Sequence, residues 1–497
     1  MQLVLLLLAM QLALLLSLLL MMLMLRLIVR IISLMLTKLL CSPAEAVARV
    51  KASIDRETLI REETIPSHEA SGRVLAHAVH ARYSAPTFHS AAMDGYAVNA
   101  RSTFAAREGH PLTLKAGEGC FAVNTGHPMP EGCDAVIMIE QVVLDGGNVT
   151  IEAPAFPWQH VRRIGEDIVA TELLFPRNHH LRPWDVGALL SGGIWDVPVW
   201  ERVSVRIIPT GDEVLDFTAH PDPGKGQVVE SNSQMLAALA RELGCTVERV
   251  APVPDSPEAL HQALKDSLDA GRHLTIFCAG SSAGSKDFTR ATLEKEGEIL
   301  THGIAAMPGK PSLLANCRGR LVAGAPGYPV SALVCFKELL EPLISWLSHR
   351  EPPAKTVVPV ELTRTVPSRP GVEEHVRVSI GRVGDKLVAT PLGRGAGNIT
   401  TVTRAQGDVR IPEQAEGLNE HAVVPAELSV SEEELDRILV CVGSHDNTLD
   451  LLADELMGRP EPFRFASTHV GSMGGITALK NGSTARKLRR EIIIMKT

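Results

Sequence analysis

From Val203 to Leu347 the chain repeats one unit: a short apolar run, a glycine turn, then a stretch with helical spacing. Val203 to Ile208 is an apolar strand that ends in Pro209-Thr210-Gly211-Asp212-Glu213. Ser231 or Asn232 then caps a helix with Met235, Leu236, Leu239 and Leu243 on its apolar face, and Gly244 stops it. Val247 to Val253 predicts a second strand, Pro257 to Leu268 a second helix, and Leu274 to Cys278 a third strand. Arg320 to Ala323 predicts a later strand. A final helix, Val330 to Leu347, buries Leu333, Phe336, Leu340 and Ile344. Strands that alternate with helices build a mostly parallel, doubly wound sheet covered on both faces. The expected class is α/β multidomain.

At 497 residues the chain is long enough for more than one core. Short β-type runs broken by Gly and Pro occupy residues 74–160 and return at 356–428, predicting two small β domains. Residues 42–73 and 161–200 read as a discontinuous linker domain, with helical spacing at Ala46, Val47, Val50 and Ile54, at Ile164 to Ile168 and at Leu181 to Leu190. The expected divisions are 1–41, 42–73 with 161–200, 74–160, 201–350, 351–430 and 431–497.

Residues 3–25 carry no charge and are almost all Leu, Met, Val and Ala. Roughly 20 apolar residues span a bilayer. Arg26, Arg30 and Lys38 follow, and they would keep the downstream chain in the cytoplasm. The favoured reading is an upstream extension outside the folded protein: the run is nearly pure Leu/Met and has neither Trp/Tyr anchors nor a cleavage pattern. A membrane partner follows only if residues 3–25 are a real anchor. The body is expected in the cytoplasm on both readings.

The net charge is −8 and no long basic stretch precedes the C-terminal tail, which argues against nucleic acid as a partner. Eight cysteines are scattered without a C-x-x-C pair, so neither a zinc site nor a redox dithiol is indicated. His179, His180 and His445 have no partner at metal-ligand spacing.

Ligands of open α/β sheets bind beyond the carboxyl ends of the strands. Three glycine loops here follow strands in that way. The first is Thr210-Gly211-Asp212-Glu213. The second runs from Gly280 through Ser281, Ser282, Gly284 and Ser285 to Asp287, with small hydroxyls and amides suited to a phosphate. The third is Pro308-Gly309-Lys310-Pro311, with Gly324 to Pro329 after the next strand. None is a Walker A or a dinucleotide loop. The acids Asp94, Asp167, Asp212, Glu213, Asp255 and Asp287 lie in turns or strand ends, and hard oxygens of that kind suit Mg²⁺. The plainer alternative is surface acids, with Asp255 a helix N-cap and Lys310 merely solvated.

The segments Ser90 to Val98, Thr125 to Val136, Gly165 to Ile168, Thr210 to Glu213, Gly280 to Asp287, Pro308 to Pro311 and Pro326 to Ala332 stand in the order of a known pattern. Over about residues 42–428 the chain resembles the molybdopterin molybdenumtransferase family, of the MoeA and gephyrin E-domain type. The resemblance implies four domains and a homodimer. Its cleft lies between the doubly wound domain of one subunit and the small β domain of the other. The implied reaction joins molybdate to adenylyl-molybdopterin, giving molybdenum cofactor and AMP, with Mg²⁺. Carried over to this sequence, the reacting set is Asp94, Thr125, Asp167, Asp212, Glu213, Asp255 and Asp287, and Asp94, Asp255 and Asp287 are the metal ligands. The ligand-holding set is Thr210, Gly211, Gly280, Ser281, Ser282, Gly284, Ser285, Pro308, Gly309, Lys310, Pro326, Gly327 and Ser331. The molybdopterin adenylyltransferase is the implied protein partner.

Two positions depart from the family: Met307 stands where a lysine is usual, and Tyr328 where an asparagine is usual. The tail from Ile438 resembles the start of a periplasmic-binding-protein-like module cut short. Its end, Arg486 to Arg490 and Ile492 to Ile494, resembles nothing in the family. A non-catalytic molybdopterin or molybdate sensor and a scaffold are the alternatives. The joint presence of Asp94, Asp167, Asp212 and Asp287 favours the enzyme. Molybdate and tungstate, being oxyanions of nearly equal size, are not distinguished.

Overall fold

The computed structural model describes residues 40–278, 288–444, 446–469 and 471–480. The expectations for residues 1–39, for Gly280, Ser281, Ser282, Gly284, Ser285 and Asp287, for His445 and for Arg486 to Ile494 lie outside the described residues. The chain forms two compact units. One comprises the segment up to Ile60, Val203–Leu347 and the chain from Glu351. The other comprises Arg61–Arg202 with Ser348–Arg350.

The second unit is built from short antiparallel strands. Glu62–Pro66 pairs with Asp196–Trp200. Gly95–Val98 lies between Cys120–Val123 and Ala135–Met138. Asn148–Ile151 lies between Leu112–Lys115 and Val142–Asp145. Val98, Cys120, Ala135, Ile137, Val149 and Ile151 close one core, and Leu75, Leu181, Leu189, Val197 and Val199 form part of another. Gly95 is needed for contact: a Cβ there would sit 1.9 Å from the Ile137 carbonyl oxygen. Helix Pro183–Ser191 falls in the expected place. Residues 164–168 do not. They form turns and a bridge around positive-φ Gly165, with Asp167 N and Ile168 N both bonding Ala85 O at 3.1 Å, so tertiary pairing overrides the local spacing.

In the first unit, helix α1 (Pro43–Ser53) opens on a capping box between Ser42 and Glu45. A six-stranded sheet follows, built from β1 (Ser204–Pro209), β2 (Thr246–Arg249), β3 (Leu274–Cys278), β4 (Gly297–His302), β6 (Leu313–Cys317) and β7 (Arg320–Ala325). A short strand, β5 (Ala306–Met307), leaves this sheet for the next. The strand order is β2-β1-β3-β7-β6-β4. The first four strands are parallel, while β6 and β4 add an antiparallel edge. The helices are α2 (Asn232–Glu242), α3 (Pro257–Asp269), α4 (Phe288–Glu296), α5 (Pro329–Cys335) and α6 (Glu341–Leu347), with a π-turn over Phe336–Leu340 joining the last two.

Two local expectations change. Helix α2 buries Ser233, Leu236, Ala237 and Ala240, and Met235, Leu239 and Leu243 lie at its margin. Neither Ser231 nor Asn232 caps it through its side chain. The Glu230 carboxylate accepts Ser233 N at 2.7 Å instead. Helix α3 is capped by Ser256, whose Oγ accepts Ala259 N at 3.2 Å, and this frees Asp255 from the capping role.

The C-terminal β runs, β8 (Val357–Leu362), β9 (Glu373–Val383), β10 (Lys386–Pro391), β11 (Gly407–Ile411) and β12 (Val423–Leu428), pair in the ring β9-β10-β8-β12-β11-β9. A closed barrel leaves no free sheet edge. Beyond it, β13 (Ile438–Gly443) and β14 (Arg464–His469) pair in parallel around α7 (Asn447–Met457). This tail shares the barrel core: Ile438 and Val440 pack with Val378, Ile380 and Ala389.

Candidate functional site

The carboxyl ends of β1, β3 and β7 open into a cleft of about 990 Å³. Thr210 roots the first loop. Its N and Oγ1 both donate to Cys278 O, at 3.0 and 3.1 Å, tying β1 to β3 where the strands end. Gly211 turns the chain with φ +136°, and a Cβ there would press on Val214 Cγ2 at 2.8 Å. The turn presents Glu213 to the cleft. Asp212 points to its neighbour: its Oδ1 accepts Asp255 N at 3.1 Å, which fixes the start of the Asp255 turn on the same wall.

Pro308, Gly309, Lys310 and Pro311 enter from the turn after β5. Gly309 has φ +123° and lies against Val334, and Ser312 Oγ donates to Gly309 O at 2.7 Å. Exposed Lys310 makes no ion pair among the described residues, so its ammonium is available to an anion. Pro326, Gly327 and Ser331 complete that side, and Asn232 Nδ2 holds Gly327 O at 2.7 Å. Met307 and Tyr328, the two departures, both face the cleft and are exposed. The expected residues of this unit that the structure describes therefore converge: Thr210, Glu213, Asp255, Pro308, Gly309, Lys310, Pro326, Gly327 and Ser331 line one cavity, and Gly211 and Asp212 support it.

Three groups in the cleft carry no local motif. Glu230 is buried, bonded by Ser233, and 3.5 Å from Arg249 Nη2. Thr289 Oγ1 is buried in the wall without a partner among the described residues. Cys278 closes the strand end. Burial pushes its thiol well above the usual range, so it stays neutral.

A second, much smaller cavity of about 40 Å³ lies between α5 and the barrel. Arg377 reaches it from β9. It is buried, with Nε on Thr401 Oγ1 at 3.0 Å, Nη2 on Gly393 O at 2.7 Å, and Nη1 without a partner among the described residues. Burial lowers its pKa. An unmatched buried guanidinium is costly unless an anion or water meets it. The only sequence signal was an arginine inside an alternating strand. Glu338, Glu373 and His375, the one cluster of three donors within 4.8 Å among the described residues, gather nearby. Arg410 occupies that cluster, 2.7 Å from Glu338 and 3.2 Å from Glu373, so it reads as an ion-pair network rather than a metal centre.

In the other unit Asp94 and Thr125 come together. Thr125 N and Oγ1 donate to Asp94 Oδ1 at 2.7 and 3.1 Å. Those two bonds, the amide's first, hold the carboxyl below the usual range, with His127 adding to them. The pair therefore persists above that range and is lost as pH falls. Asp167 is exposed in its turn, held by its own backbone.

Comparison with known proteins follows the same segments. The "MoeA N-terminal region (domain I and II)" family matches residues 41–193. The "Probable molybdopterin binding domain" family matches 206–346, and the "MoeA C-terminal region (domain IV)" matches 359–428. The chain is 33% identical over 309 residues to the molybdopterin molybdenumtransferase of Haemophilus influenzae, covering 58% of this chain and 74% of that one. It is 31% identical over 382 residues to molybdopterin molybdenumtransferase 2 of Mycobacterium tuberculosis, covering 71% and 91%. The crystal structure of the molybdopterin biosynthesis MoeA protein from Pyrococcus horikosii superposes with a TM-score of 0.67 at 29% identity, over 79% of this chain and 100% of that one. None of the three family matches reaches past residue 428.

Proposed function

Because the chain belongs to the MoeA family of molybdopterin molybdenumtransferases, we propose that it transfers molybdenum from molybdate to adenylyl-molybdopterin, giving molybdenum cofactor and AMP. The observation that carries this reading is the convergence of the Thr210, Asp255, Lys310 and Ser331 loops on one cleft at the strand ends.

Glu213 and Asp255 both line this cavity, and their carboxylates are the hard oxygens that Mg²⁺ takes, which supports that ion here. A bound divalent ion supplies positive charge beside the phosphoanhydride that breaks. The chain's own groups do the rest. Lys310 pairs with an anionic oxygen of substrate or molybdate. Gly309 and Gly327 let the backbone come close, and the bonds of Thr210 and Asn232 keep both loop ends in place. Preorganised donors of this kind lower a barrier without a covalent nucleophile.

The working form is a homodimer in the cytoplasm, in which Asp94, Thr125 and Asp167 of a second copy reach the cleft. Asp287 acts with Asp255 and Asp94 on the metal. Residues 42–73 with 161–200, 74–160, 201–350 and 351–430 form the four divisions, and the adenylyltransferase that makes the substrate is the partner. Incubating the purified protein with adenylyl-molybdopterin, Mg²⁺ and molybdate and measuring AMP tests the reading. AMP is expected only when all three are present. No AMP from folded protein rejects it.

A further inference from the structure

Tyr328 has no part in that scheme, yet it is the most conspicuous group in the cleft. It stands in the turn Pro326-Gly327-Tyr328-Pro329 and is 66% exposed. The frame around it is fixed. Tyr328 O accepts Ala332 N at 2.9 Å inside α5, and Val330 N donates to Ala396 O at 3.0 Å. Gly327 O is held by Asn232. The ring packs beside Gly397: a Cβ added there would be 3.4 Å from Cδ1 and 3.7 Å from Cε1. The ring therefore has glycine, with no side chain, as a neighbour and keeps most of its surface exposed.

Its surroundings are unusual for an open cavity. Val228, Val229 and Met307 line the same cleft and are also exposed. Single exposed apolar residues need no explanation. Four lining one cavity give it exposed apolar surface, the kind of surface that marks contact sites. The same cleft carries Thr210, Glu213, Asp255 and Lys310. A ligand that satisfies both sets has an anionic part and a flat aromatic part.

We propose that Tyr328 is a stacking platform for a fused nitrogen heterocycle and so sets ligand specificity at this cleft. This rests on the function proposed above, whose substrate has two such rings, a pterin and a purine. Stacking on an aromatic side chain is sequence-tolerant chemistry because every such ring has a π-face. The tyrosine hydroxyl is not required.

The test is calorimetric titration of the full chain with AMP and, separately, with neopterin monophosphate. The proteins are the parent, Tyr328→Phe, Tyr328→Trp and Tyr328→Ala. The expected result is that Phe and Trp bind both ligands within about twofold of the parent. Ala should weaken at least one ligand by about 5- to 100-fold, the range for loss of one stacked base. The ligand affected identifies the ring. If Ala binds both ligands as the parent does, the platform is rejected and the proposed function stands. If the parent binds neither, the cleft does not take this ligand class and both readings fall. Should the Ala variant fail to fold, the Phe and Trp variants still decide: a large loss in both overturns the proposal.

Discussion

Met307 shows what one side chain can change in this cleft. It lies just before Pro308-Gly309-Lys310-Pro311, faces the cavity, and puts a neutral thioether beside Lys310's loop where a lysine would put a charge. Met307→Lys should therefore tighten molybdate binding by roughly 10- to 100-fold, the worth of one charge-assisted hydrogen bond. The gain should shrink as salt is added, because the position is exposed. Titration of both proteins with molybdate decides it, and equal affinities would show that Lys310 already supplies the needed charge. Residues of this kind were legible in the sequence because the loops that carry them are local: Thr210-Gly211-Asp212-Glu213 is one turn, and its glycine is demanded by φ +136°. Arg377, Glu230 and Thr289 were not. Each is one ordinary residue in a strand, a turn or a helix start, and only folding from distant segments buries it.

At the scale of the element, helix Pro183–Ser191 shows how a buried acid steadies a turn. Asp185 is buried and accepts from Arg182 N at 2.9 Å, Arg182 Nε at 3.1 Å and His179 Nε2 at 2.8 Å. Burial alone would raise its pKa, but the Arg182 bonds and then His179 outweigh that and bring it down to about 2. A depressed acid stabilises the fold above its unfolded pKa, and that stability is lost as pH falls through the folded value. The contribution is about 2 kcal/mol at neutral pH, and it should fade between about pH 4 and pH 2. Asp185→Asn should lower the urea midpoint at pH 7 and narrow its gap to the parent at pH 2. A gap that does not change with pH would contradict this. Two elements depart from local periodicity for physical reasons. Helix α2 takes its cap from Glu230 because that carboxylate reaches forward to Ser233 N in the first turn. Residues 164–168 turn rather than coil because Ala85 O captures two of their amides.

Across the whole molecule, the parallel strands β1, β2, β3 and β7 were readable as apolar runs between glycine turns. The antiparallel edge, β6 and β4, was not, since neither strand shows a clean alternation and both are fixed by pairing alone. Barrel closure was equally hidden. It depends on β9 meeting β11 with β10 and the helix Ile399–Arg404 between them in the chain, and one-dimensional patterning does not carry such pairings. The tail after Ile438 packs on the barrel, where Gly381 leaves room for Val440: a Cβ there would lie 2.2 Å from Val440 Cγ2. Among the described residues no helix is long and apolar enough to cross a membrane, and residues 3–25 lie outside them.

The central claim is that the cleft at the ends of β1, β3 and β7 is where AMP is released. The most direct measurement is the AMP release rate of Asp255→Asn beside the parent, with adenylyl-molybdopterin, molybdate and a Mg²⁺ titration. Asn keeps the side chain's shape and the turn's backbone bond to Asp212, and the thermal midpoint of the variant checks that it is folded. The account predicts a rate lower by about 10²-fold or more, as for loss of one charge-stabilising group, and a need for more Mg²⁺. A folded Asp255→Asn protein that releases AMP at the parent's rate and the parent's Mg²⁺ requirement would contradict it.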